Sequence, residues 1–234
     1  VVRAKFKLNF EDNRLTAISQ IADWSSGQFL RTSFLENFVL EPDGFRKAGD
    51  LELAPDETLF ASRFYGDTVY IVTFLVVDPL FAIDNRNPSQ PKIAGELKVP
   101  GWSDYIEWVD DQLFAVGVED QRLTVSIFDV GDPADMFLKD RVFLNEESWA
   151  SSEAQYDDQA ISFFPDKKLL MLPFTTWSWE SSEQIKAMQL ISWDDSGLQL
   201  RGAIQHLDTP RRGTLLDDKV VTISGREVVV TDIS

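Results

Sequence analysis

One pattern recurs along this chain and limits what it can fold into. "FKLNFEDNRLTAIS", "FASRFYGDTVYIVTF", "YIEWVDDQLFAVGV", "AISFFPDKKLLMLPF" and "RGTLLDDKVVTIS" share a form. Each reads as a strand, a tight turn of Asp, Asn, Gly or Lys, and a very apolar strand. Asp, Asn and Gly tolerate positive φ, which tight hairpin turns require. A second hairpin follows each of the first four: "LENFVLEPDGFRKAGDLEL", "DPLFAIDNRNPSQPKIAGELKVPG", "TVSIFDVGDPADMFLKDRVFL" and "MQLISWDDSGLQLRGAIQH". These run from an apolar strand through a Pro- or Gly-bearing turn to a last strand. After the fifth copy, "EVVVTDIS" supplies the third strand alone.

The unit is therefore four strands, A to D, repeated about five times, and no long window has helical periodicity. Four strands at a period of roughly 40–50 residues are the signature of a β-propeller blade. A large β-sandwich also has many short strands, but it does not explain the constant A-B-C-D order. The expected fold is thus an all-β propeller of four-stranded antiparallel blades, at residues 1–57, 58–101, 102–145, 146–207 and 208–234. The near-continuous apolar strands 69–74, 113–118 and 168–174 place the core on strands A and B. The incomplete fifth copy leaves two organisations open. One is a single five-bladed domain over 1–234, closed with help from the residues near Val1. The other is the C-terminal portion of a larger propeller, with a strand edge exposed at 226–233.

Composition narrows the function. Lys and Arg number 22 against 39 Asp and Glu, giving a net charge of −17. Nucleic-acid backbones and anionic membranes need basic patches, so neither is an expected partner. There is no Cys, which excludes disulfides, thiolate metal sites and Cys nucleophiles. No apolar run is long enough to span a membrane as a helix. The sequence opens at Val1 without a signal-peptide pattern, and is expected to be a mature chain or a fragment.

Strands of a blade alternate in direction, so A–B and C–D turns share one face and B–C and D–A loops the other. The A–B turns (Asp12-Asn13, Gly66-Asp67, Asp110-Asp111, Asp166-Lys167, Asp217-Asp218) are acidic and read as turn chemistry. Five of the seven Trp fall on the other face: Trp24, Trp102, Trp149, Trp177 and Trp179. His206, Arg211 and Arg212 sit at the last D–A connection. Loops on a rigid scaffold present function, and exposed aromatic rings are costly without a use. These Trp, with His206 and Arg211, are the candidate ligand contacts. The bland alternative is that each Trp folds down over the core between blades. His206, near Asp208 and Ser224, does not have the spacing of a triad and reads as a hydrogen-bonded structural residue. Carboxylates accompany the Trp set. Asp104, Glu153 and Asp157 are the catalytic candidates if the chain hydrolyses a glycan. Asp78, Asp104 and Asp158 are the metal candidates. Oxygen ligands in loops suit Ca²⁺, but no spaced Asp-x-Asp-x-Asp-Gly loop is present, and no cofactor is expected. No phosphate-binding or dinucleotide fingerprint occurs.

From about residue 35 onward, and most closely over 77–105, the chain resembles a family of largely uncharacterised secreted bacterial and archaeal proteins with a C-terminal β-propeller domain. The matching stretches are "ETLFASRFYGDTVYIVTF", "VDPLFAIDNRNPSQPKIAGELKVPGWSDYIE", "SIFDVGDP", "SSEAQYDDQAISFFPDKKLLMLPF" and "GAIQHLDTPRRGTLLDDKVVTIS". The resemblance implies a propeller, export from the cytoplasm and further blades or domains upstream. It implies no established reaction. Where that family tends to read Asp-His-Lys-Ala, this chain has Asp158-Gln159-Ala160 after Asp157, which removes any metal or acid–base role resting on that His. The expected function is a non-catalytic, extracellular or periplasmic binding module presenting a Trp- and carboxylate-rich face to a glycan or protein. The alternatives are a polysaccharide-acting hydrolase and a purely structural part of a larger surface protein.

Overall fold

The computed structural model describes residues 7–23, 30–53, 55, 57–74, 78–145, 149–178 and 182–233. Among these residues, twenty strands form five antiparallel sheets. The first holds β1 (Leu8–Glu11), β2 (Arg14–Asp23), β3 (Leu30–Glu41) and β4 (Gly44–Leu53). The second holds β5 (Thr58–Tyr65), β6 (Thr68–Phe74), β7 (Asp78–Asp84) and β8 (Lys92–Val99). The third holds β9 (Trp102–Val109), β10 (Gln112–Glu119), β11 (Arg122–Asp129) and β12 (Phe137–Phe143). In the fourth, β13 (Ala150–Ser151) and β14 (Ser162–Phe164) both pair β15 (Leu169–Ser178), followed by β16 (Glu183–Asp194) and β17 (Gly197–Gln205). The fifth has three strands: β18 (Pro210–Leu216), β19 (Lys219–Ser224) and β20 (Val228–Asp232). The architecture is that of a β-propeller.

Tight turns join the first two strands of each sheet, as their residues require. Asp12, Asn13, Asp110, Asp111 and Asp217 all have positive φ. Ion pairs then tie several of these turns to neighbouring sheets. Arg14 reaches Asp67 at 3.0 Å, Lys168 reaches Asp110 at 2.6 Å, and Lys167 lies 3.7 Å from Asp218. Trp193 Nε1 also donates to Asp110. Asp67, Asp110 and Asp218 are thus engaged in local ion pairs.

The core lies on the second and third strands of the sheets, a correction to its expected place on strands A and B. Leu113–Val118 of β10 and Leu123–Phe128 of β11 are buried throughout, as are Leu169–Thr176 of β15. The first strand β9 alternates between buried and half-buried. The reason is position: middle strands have sheet neighbours on both sides and packing on both faces. First and last strands are edges; β4 is mostly exposed and β8 is half exposed.

A second repeat lies in the last strands. Pairing slips by one residue at Ala48, Ala94 and Arg201, and each bulge is followed by a glycine: Gly49, Gly95 and Gly202. The glycine lets the next sheet's third-to-fourth-strand turn approach. A Cβ on Gly49 would stand 2.6 Å from the Pro88 carbonyl oxygen, and one on Gly95 would collide with the Pro133 carbonyl. Asn37, paired with Gly49, donates to that Pro88 carbonyl at 3.1 Å. Asn37 also belongs to a buried network with Asn85 and Thr16. In the third sheet Asp140 stands where the others have glycine, and its carboxylate accepts from Leu198 N–H at 2.6 Å. The chain divides into two compact units, 1–106 with 130–137 and 107–129 with 138–234. The turn around Pro133 belongs to the first because it is seated on Gly95.

Candidate functional site

The fourth sheet departs from the repeat, and its departure begins at a proline. Ser152 Oγ donates to the Pro173 carbonyl at 2.6 Å. In an antiparallel strand the N–H and C=O of one residue point the same way, so the N–H that Pro173 lacks also faces the first strand. No ladder bond can form there. The first strand accordingly pairs as two pieces, Ala150–Ser151 and Ser162–Phe164, with 152–161 leaving the sheet between them. Ser152 caps a single 3₁₀ turn, Glu153–Gln155, in a capping box with Gln155. Ala154, Ala160 and Ile161 are buried, while Tyr156 is 87% exposed.

Asp157 anchors this excursion. Its Oδ2 accepts from Arg212 at 2.7 Å, and its Oδ1 accepts from Gln159 N–H at 3.0 Å. Ser162 Oγ donates to the Gly213 carbonyl at 2.9 Å, so the middle of the excursion and its return to the sheet are both held to β18.

Above the excursion, at the end of the sheet with the B–C and D–A loops, lie two of the sequence-predicted indoles. Ala150 pairs with Thr176, and Thr176 Oγ1 donates to the Trp149 carbonyl at 3.0 Å. Continuing that register by one residue sets Trp149 opposite Trp177. Directly opposed residues have Cβ atoms about 4.5–5.5 Å apart. Trp149 is 58% exposed and Trp177 is 41% exposed.

The other sequence-predicted residues separate from this pair. Trp24 and Trp179 lie outside the described residues, as does the Asp78 side chain. Trp102 and Asp104 are half-buried on β9, in the first unit. Glu153 and Asp158 are half-buried on the excursion. Asp157, a hydrolase candidate, has both oxygens engaged in holding the excursion. Arg211 is exposed, and its neighbour Arg212 holds Asp157. His206 is enclosed. Its Nε2 is 2.7 Å from Thr222 Oγ1, its Nδ1 is 3.5 Å from Glu227 Oε1, and burial lowers its pKa. This enclosure is that of a hydrogen-bonded residue held between the last two sheets' strands. Among the described residues no three His, Asp or Glu side chains converge on one point. Elsewhere, in the first unit, an open cavity of about 270 Å³ is lined by Asp84, Arg86, Asn87, Gln90 and Lys92. The Arg86 guanidinium, 2.6 Å from Asp84, holds that carboxyl far below the usual carboxylate range, which makes this a self-neutralised turn. Tyr156, absent from the sequence-based set, is the most exposed aromatic among the described residues of the second unit; its flanks in "EAQYDD" are the signal that marks it.

The chain belongs to the Beta propeller domain family, whose model matches residues 1–234. Its relatives include an uncharacterised protein of Archaeoglobus fulgidus, 33% identical over 178 residues, which cover 76% of this chain and 26% of that protein. Another is an uncharacterised protein of Methanocaldococcus jannaschii, 34% identical over 131 residues, or 54% of this chain and 20% of that one. The matched regions thus span about a quarter of the first relative and a fifth of the second. A crystal structure of a protein from Lactobacillus plantarum shares the fold, with a TM-score of 0.55 and 10% identity over 98% of this chain and 78% of that one.

Proposed function

We propose that this propeller is a binding module, and that its contact surface is the end of the fourth sheet bearing Trp149, Trp177 and Tyr156. The observation that carries this is the Ala150–Thr176 pairing, which, continued by one residue, sets two exposed indoles opposite one another, beside a braced excursion that exposes a third ring. Flat apolar surfaces of this kind stack on sugar rings or on apolar peptide side chains. Binding energy at such surfaces concentrates in a few aromatic anchors. A glycan is the first-choice ligand and a protein the second. The resemblance of the sequence to secreted proteins, and the greater length of the archaeal relatives, support an exported protein that carries this propeller as its C-terminal part.

The test is a glycan and protein array, followed by titration of the hits with tryptophan fluorescence as readout. Trp177→Ala and Trp149→Ala should each weaken binding by about 2 kcal/mol, roughly thirtyfold, with little change in thermal midpoint. Hits that bind both variants as they bind wild type would remove the proposal, and so would an array without hits.

A further inference from the structure

The face of the fourth sheet that bears the two indoles can be followed strand by strand. Side chains alternate between faces along a strand, and directly opposed residues share a face. At one level of this face Leu169, Met171, Met188 and Ile204 pack with Leu215 and Val220 of the fifth sheet. The unbroken β15–β16 register carries the same face through Thr175 and Lys186 to Trp177 and Gln184. The β13–β15 pairing adds Trp149. Met188 opposite Ile204 carries it on to His206 and then Asp208, just beyond β17. Contacts agree with this placement: His206 Nε2 meets Thr222 of β19 at 2.7 Å, and Lys186 Nζ lies 3.6 Å from Asp208 Oδ1.

Trp149, Trp177, Gln184 and Asp208 therefore stand level in one row across the sheet. At about 4.8 Å per strand the row runs roughly 14 Å, the length of about three sugar rings. One end is the pair of exposed indoles. The other end is polar and has unused hydrogen-bonding capacity. Gln184 is exposed, and its amide has no hydrogen-bond partner among the described residues. Asp208 Oδ1 accepts from Thr209 N–H at 2.9 Å, while Oδ2 accepts from no described residue. Gly225 presents no side chain to that oxygen: a Cβ there would stand 2.7 Å from it. The Thr209 N–H, and then Lys186, hold Asp208 below the usual carboxylate range, so Oδ2 is an acceptor only. Lys186 has three N–H donors and one described carboxylate partner.

We infer, resting on the binding reading above, that this row takes a neutral, extended, β-1,4-linked oligosaccharide lying across the strands. Two sugar rings stack on Trp149 and Trp177. Hydroxyls of the next ring accept from Gln184 Nε2 and Lys186 Nζ and donate to Asp208 Oδ2. The chemistry of the two partners matches. Equatorial β-1,4 linkage makes a flat ribbon with apolar ring faces and hydroxyls along its edges. Side-by-side indoles are a flat platform for those faces. A donor beside an acceptor suits neighbouring hydroxyls, each of which can do both. An α-1,4-linked chain curves away from such a platform. A polyanionic glycan would meet the Asp208 carboxylate on a chain of net charge −17.

The test titrates the 234-residue protein with cello-, manno- and chito-oligosaccharides from the disaccharide to the hexasaccharide. Maltohexaose and hexagalacturonate are the opposing probes, and tryptophan fluorescence and calorimetry are the readouts. At least one β-1,4 series should bind, more tightly than either opposing probe, with affinity rising from the disaccharide to the trisaccharide and then levelling. Asp208→Asn keeps an oxygen for Thr209 N–H and should weaken hexasaccharide binding about tenfold, because a hydrogen bond to a charged group is lost. Gln184→Ala, at an exposed position, should weaken it roughly threefold without moving the thermal midpoint. The disaccharide, seated on the indoles, should bind both variants as it binds wild type. The inference is overturned by no binding of any β-1,4 series, by tighter binding of maltohexaose or hexagalacturonate, or by hexasaccharide affinity indifferent to both substitutions. If ligands of another class still need Trp149 and Trp177, the binding module stands and this ligand does not; if no ligand needs those rings, both fall.

Discussion

His206 is the only histidine, and its side chain is wholly enclosed between Thr222 and Glu227. Burial lowers its pKa, outweighing the pull of Glu227 in the other direction. A histidine depressed in the folded state binds its proton more readily when unfolded, where its pKa is about 6.5. Stability is therefore full above about pH 6.5 and declines as pH falls through the unfolded and then the folded value. In His206→Gln, which keeps a polar group near Thr222, urea midpoints between pH 7 and 5 should fall less steeply than in wild type; parallel profiles would refute the assignment. The sequence reads His206 as structural by its lack of triad spacing, but does not give its partner, since His206 follows the fourth sheet and Thr222 lies on β19 of the fifth. Trp149 and Trp177 show a similar limit. Loop topology assigns both to one end of a blade, but their opposition follows from the β13–β15 register, which hairpin reasoning across the interrupted first strand does not supply. The carboxylates were the least legible. With 39 acids, abundance hides which are braces, and Asp157 is distinguished only by Arg212, 55 positions away.

At the scale of the element, the tight turns and apolar second strands are plainly legible, because Asp, Asn and Gly at two-residue turns and runs such as "LFAVGV" leave few alternatives. The bulge–glycine seats are not, since a lone glycine in a strand says only that the backbone bends or is approached closely. Their weight can be measured. Gly95 has no positive φ to excuse it, so Gly95→Val tests contact with the Pro133 backbone alone. That substitution should cost about 2–4 kcal/mol and lower the urea midpoint, because a backbone carbonyl cannot swing aside as a side chain can. A cost below about 0.5 kcal/mol would show that the seat adjusts freely. The interrupted first strand of the fourth sheet offers a second measurement. Ser152 is buried, caps the 3₁₀ turn and donates to Pro173. Ser152→Ala removes a cap and leaves a carbonyl unpaired, so it should cost about 1–3 kcal/mol. Amide exchange should rise first over 152–161. Uniform destabilisation across the sheet would instead mean that the excursion is not an independent local element.

For the molecule as a whole, the net charge of −17 sets a balance that no single pair reveals. Many cations are already committed locally: Arg14 to Asp67, Arg86 to Asp84, Arg141 to Glu119, Lys168 to Asp110 and Arg212 to Asp157. Most of these pairs are exposed on at least one side, so each contributes at most about 1 kcal/mol and weakens as salt is added. Arg141 with Glu119 is the enclosed exception, at 9% and 19% side-chain exposure. Arg141 also donates to Ser126, so that bridge is screened least. The unmatched acids repel one another over longer distances, and that repulsion favours expansion of the chain. Salt thus acts with opposite signs on the two sets. Because acids outnumber bases by 39 to 22, relief of repulsion should win. The thermal midpoint should rise steadily as sodium chloride increases from about 10 to 500 mM, where the screening length falls from roughly 30 Å to below 8 Å. Chloride is the right anion for the measurement, because sulfate would add its own strengthening of apolar burial. Arg141→Met should lower the midpoint at every salt concentration while keeping the upward slope, since it leaves Glu119 without its partner in a place salt reaches poorly. A midpoint that falls with salt would mean that the exposed bridges outweigh the excess of acids, and the local pairs would then govern the stability of the whole.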